Sequence, residues 1–155
     1  MNLSNSSTSY GQLERRFRRW SAIRDAAGML NWDMAAIMPE GGHEARAEQL
    51  AALGVVSHQL LTDSETGDLL AGAEAGELDI WQRANLGEML RLYIHATALD
   101  SEAVEAMSKA ATSCEAVWRK ARPAADFAAV KPYLETIFKL VREAAQAKAD
   151  KLKLS

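Results

Sequence analysis

Apolar residues recur every three or four positions along almost the whole of this 155-residue chain. Leu13, Phe17, Trp20, Ile23, Ala27, Leu30, Met34 and Ile37 form one such stripe, the signature of a long amphipathic helix with one buried face. The helix should stop near Met38, because Pro39 disfavours helical geometry in the residue before it, and Gly41-Gly42 then makes a turn. A second helix is expected with Ala47, Leu50, Leu53, Ser57 and Leu60 on one side. Thr62-Asp63-Ser64-Glu65 has capping-box spacing and opens a short third helix to about Ala73, with Gly72 and Gly76 at its exit. The fourth carries Ile80, Ala84, Gly87, Leu90, Ile94 and Ala98. Asp100 and Ser101 are both suitable N-caps for a fifth, with Val104, Met107, Ala111, Cys114, Trp118 and Ala121, closed by Pro123. Asp126 caps a sixth with Phe127, Val130, Leu134, Ile137, Val141 and Ala145, and Pro132 lies early in it. No run alternates as a strand does. The expected fold is all-α, an array of about six mostly antiparallel helices with long first and last members.

Composition agrees with that reading. Only three prolines and nine glycines punctuate the chain, and Ala, Leu, Glu, Arg and Lys, the better helix formers, are plentiful. The length suits one domain, expected over residues 10–155 after a flexible tail over 1–9. That tail is polar and lacks the apolar core of a signal peptide. No stretch approaches the roughly 20 apolar residues of a spanning helix, so no membrane partner is expected. The lone Cys114 excludes an internal disulfide and a cysteine zinc knuckle, and a reducing, cytoplasmic setting is the natural expectation.

Charge is unevenly spread. Residues 1–50 are net 0, residues 51–110 net −7 and residues 111–155 net +4, giving −3 overall. A nucleic-acid binder carries a basic face on a basic domain, and this chain does not. The acidic middle and the basic end read as solvated surface, since exposed charge pairs contribute little. Arg15, Arg16, Arg18 and Arg19 around Phe17 and Trp20 read as the flanks of a buried stripe.

The chemical inventory is thin. A helical zinc protease site needs His-Glu-x-x-His, with two imidazoles on one face and a glutamate base. His43-Glu44 begins this way but ends on Ala47; His58 and His95 are followed four residues on by Thr62 and Leu99. Glu40-Gly41-Gly42-His43 has the spacing of a di-iron ligand pair, yet the two glycines make it a loop. Cys114 lies on an apolar stripe and reads as a structural thiol. No phosphate loop and no nucleophile elbow occur. From the residues, catalytic, cofactor-binding and metal positions are all expected to be none.

Two blocks carry a family resemblance. Leu30-Asn31-Trp32-Asp33-Met34-Ala35-Ala36-Ile37-Met38-Pro39-Glu40-Gly41-Gly42, followed by Arg46, resembles the segment near the start of the carboxypeptidase Taq family of metallocarboxypeptidases. Trp118-Arg119-Lys120-Ala121-Arg122, then Asp126-Phe127, Pro132-Tyr133-Leu134 and Leu140-Val141-Arg142-Glu143, is similar to a later series of that family in the same order. The resemblance runs from about Tyr10 to the end. It implies an enzyme that releases C-terminal residues from peptides with zinc or cobalt, in a mostly helical and commonly dimeric molecule. Family members are much longer, and their metal-binding helix has no counterpart here.

The chain thus reads as the N-terminal helical cap and groove wall of such an enzyme, inactive alone, with the C-terminal catalytic part as its missing partner. The alternative is an independent helical interaction or scaffold domain. Trp32, Asp33, Met38, Pro39, Gly41, Gly42, Arg46, Trp118, Arg122, Asp126 and Phe127 are the motif positions, expected to be structural. Trp32, Trp118 and Phe127 are expected as core or interhelix anchors. Arg46 and Arg122 are expected to pair with Asp33 or Asp126, or else to line the groove. A homodimer burying about 1,200 Å2 or more is expected, using faces on the first and last helices that include Tyr133, Phe138 and Leu140.

Overall fold

The computed structural model describes residues 8–153, and among them 8–36, 43–74, 80–121 and 127–152 lie almost entirely in helices. The order is α1 (Ser9–Ala36), a single 3-10 turn (Glu40–Gly42), α2 (His43–Thr62), α3 (Ser64–Glu74), α4 (Ile80–Ala96), α5 (Ser101–Ala121) and α6 (Phe127–Leu152). The all-α reading holds, and α1 and α6 are the two longest helices, of 28 and 26 residues. The tail expected over 1–9 loses its last two residues to structure. Thr8 caps α1 by accepting the Gly11 N–H at 3.1 Å, and Ser9 begins the helix. Residues 1–7 of that tail lie outside the described residues.

Helix boundaries follow local chemistry. The cap of α3 is Asp63, not Thr62: its carboxylate accepts the Glu65 N–H at 2.8 Å, while its own N–H bonds the Gln59 carbonyl and closes α2. Thr62 instead donates back to the His58 carbonyl. Asp79 opens α4 with a reciprocal capping box to Gln82, a device hidden from the apolar pattern. Asp100 and Asp126 cap α5 and α6 as read from the sequence. Pro132 sits inside α6, beyond its first turn, where it removes one ladder donor.

The core is divided. At one end Tyr10 and Leu13 of α1 meet Leu70 and Ala73 of α3 and Leu86 of α4, with Phe17, Met89, Leu90 and Tyr93 around them. Leu13 and Thr66 are fully buried. Thr66 donates its hydroxyl to the Leu60 carbonyl, so burial leaves no unpaired group there. Gly72 admits the start of α1, since a Cβ would stand 2.6 Å from Ser9 Oγ. At the other end Cys114 and Ala121 of α5 meet Val130 of α6, backed by Val117, Leu134 and Ile137. Between them α2 is the spine, packed against α1 on one side and α5 on the other.

The α4 stripe is a correction. Its buried side is Leu86, Met89, Leu90 and Tyr93, whereas Ile80, Ala84 and Gly87 are exposed. Ile80 opens the helix beyond the reach of α1 and α3, so a stripe counted from it starts out of phase. Val141 and Ala145 of α6 are likewise exposed, and Ala144 is buried in their place. Charge pairing also differs in part from a purely solvated surface. Arg16 of α1 binds Glu65 at 2.6 Å and Asp63 at 3.3 Å, and donates to the Leu60 carbonyl.

Candidate functional site

The first motif block forms the corner between α1 and α2. Both Ile37 and Met38 donate their N–H groups to the Asp33 carbonyl, which ends α1. Pro39 is extended, and the 3-10 turn returns the chain for α2. The Met38 side chain lies over Gly42, where a Cβ would stand only 2.9 Å from Met38 Cγ. Gly42 is thus a close-approach glycine. Gly41 has open space beside it.

Arg46, on the first turn of α2, reaches back across this corner. Its Nη1 donates to the Leu30 carbonyl at 2.7 Å, and its Nη2 pairs with Asp33 Oδ2. The Arg46 side chain is 15% exposed and that of Asp33 29%, so this pair is drier than a surface bridge and the hydrogen bonds are correspondingly worth more. Arg46 Nε and His43 Nδ1 are buried with no partner among the described side chains. From the opposite side Arg119 of α5 donates to the Ala35 carbonyl at 3.3 Å while holding Glu115. The expected Arg46–Asp33 tie is present, and Arg119 adds a second tie that the motif reading missed.

The second block forms the elbow between α5 and α6. Here Arg122 makes no pair with Asp126, contrary to one expectation. Its guanidinium lies 5.0 Å from the Trp118 ring centre, and Asp126 caps α6 through the Ala129 N–H. The chain leaves α5 through Ala125 in the left-handed region, φ 53°, with the Asp126 N–H on the Ala121 carbonyl and the Ala125 N–H on the Arg122 carbonyl. This is a Schellman ending built with Ala where Gly is usual.

Two concavities flank the elbow. One, of about 390 Å3, is apolar, with Cys114, Val130 and Leu134 within and Trp118, Arg122 and Phe127 around it. The other, of about 500 Å3, is lined by His43, Val117, Lys120, Ala124 and Asp126 and joins the two motif blocks. Trp32, Trp118 and Phe127 are exposed by 58%, 42% and 67%. Their expected role as core anchors fails in this chain. For Trp118 and Phe127 the periodicity marks a face opposite which, among the described residues, no helix stands, and Trp32 lies off the α1 stripe. Phe138 and Tyr133 are also exposed, whereas Leu140 is half-buried beside Leu99 and Met107.

Metal chemistry finds no support in these residues. Among the described residues no three His, Cys, Asp or Glu side chains are grouped to hold an ion. His58 is committed elsewhere: its Nε2 stands 2.9 Å and 3.1 Å from the Leu99 and Ala96 carbonyls, so it carries the proton and donates to both. It ties α2 to the turn between α4 and α5, a contact with no signal in the sequence. A zinc or cobalt centre therefore does not fit the described residues. No described helix is long and apolar enough to cross a membrane.

What remains is a helical module whose motif residues build two corners. The profile of the carboxypeptidase Taq (M32) metallopeptidases matches residues 12–155, and the chain belongs to that family. It is 33% identical to thermostable carboxypeptidase 1 of Thermus thermophilus over 135 residues, 84% of this chain and 26% of that protein. Thermostable carboxypeptidase 1 of Pyrococcus furiosus is 29% identical over 136 residues, 87% of this chain and 27% of that protein. Among solved structures, Trypanosoma cruzi metallocarboxypeptidase 1 superposes with a TM-score of 0.71 at 32% identity, covering 91% of this chain and 28% of that one. The P. furiosus carboxypeptidase superposes at 0.70 with 28% identity, over 90% and 28%. The chain thus spans little more than a quarter of the length of the relatives it matches.

Proposed function

We propose that the chain is the N-terminal helical cap and groove wall of a metallocarboxypeptidase, and that it cleaves no peptide alone. The observation that supports this most is the family match over residues 12–155 within only 26–27% of the curated relatives' length. In the complete enzyme the zinc or cobalt ligands and the groups that handle the peptide substrate come from outside this segment. Most of the eleven motif residues then have structural roles: Asp33, Met38, Pro39, Gly42 and Arg46 set the α1–α2 corner, while Trp118, Arg122, Asp126 and Phe127 shape the elbow. Trp32, Trp118 and Phe127 become anchors once the catalytic part covers them. A cytoplasmic location suits the free, buried thiol of Cys114.

Metal analysis of the purified chain after incubation with zinc or cobalt, with a C-terminal release assay on an N-blocked dipeptide, tests the reading. No stoichiometric metal and no turnover are expected. Stoichiometric metal together with turnover overturns it.

A further inference from the structure

We draw no further inference here: the strongest candidate, the groove of about 430 Å3 along α2 between α1 and α5, where Gly28 stands in mid-helix with open space beside it, is lined mostly by small residues, and nothing in the structure shows what covers it.

Discussion

The two ends of the bundle solve the same packing problem differently. Around Leu13, three helices converge, and residues from α1, α3 and α4 are buried against one another. At the α5–α6 elbow two helices meet, and the buried cluster among the described residues is Cys114, Ala121 and Val130, all of them small or medium-sized. The larger Trp118 and Phe127 lie outside. Two helices bury one stripe each, whereas a third covers the flanks. A large aromatic on a flank therefore marks a place for a further element, not a weakness of the helix that carries it.

Truncation should separate the two ends most sharply. Leu13→Ala removes a fully buried side chain and should destabilise the fold by about 3–5 kcal/mol, while Phe127→Ala should cost below about 1 kcal/mol. Urea unfolding of both variants at a concentration where the chain is monomeric measures the difference. Equal losses would erase the distinction between the ends. The corner between them is the next probe. Arg46→Ala leaves Asp33 without its partner and should cost about 1.5–3 kcal/mol in the same assay.

Ala125→Gly sharpens the comparison in the other direction. It relieves a left-handed alanine at the elbow, and stability should rise by about 1 kcal/mol, seen as a higher melting temperature. The smallest effect concerns Glu88 on α4. The hydrogen bonds from Arg91 hold its carboxyl below the ordinary value of 4.5. Its contribution is present above that value and is lost as pH falls through the lowered one. Glu88→Gln should therefore lower stability slightly near pH 7 and converge with the parent below the lowered value, as parallel melts would record.

Much of the fold was legible because helix periodicity, Asp caps and Pro stops are local. The stripe from Leu13 to Met34 lies on the packed side of α1, and Asp100 and Asp126 cap where expected. Burial was less legible, because the pattern names a face and not its neighbour. Trp118 and Phe127 carry the right spacing with nothing opposite them, and Ile80 set the α4 count out of phase. The left-handed turn at Ala125 was invisible, since alanine gives no sign of it. Of the site, the Arg46–Asp33 tie was readable from the motif block. Arg119 on Ala35 and His58 on the α4–α5 turn were not, because their partners are backbone carbonyls, which every residue has.

Asp63 ends one helix, begins the next and holds Arg16 of α1, all within a single residue. The junction therefore has no slack. One extra residue there turns α3 by about 100° about its axis and carries Leu70 away from Leu13. The connection from Ala75 to Asp79 has several exposed residues and absorbs added length. The gene can thus be lengthened or nicked after α3, but it should be read as indivisible between α2 and α3.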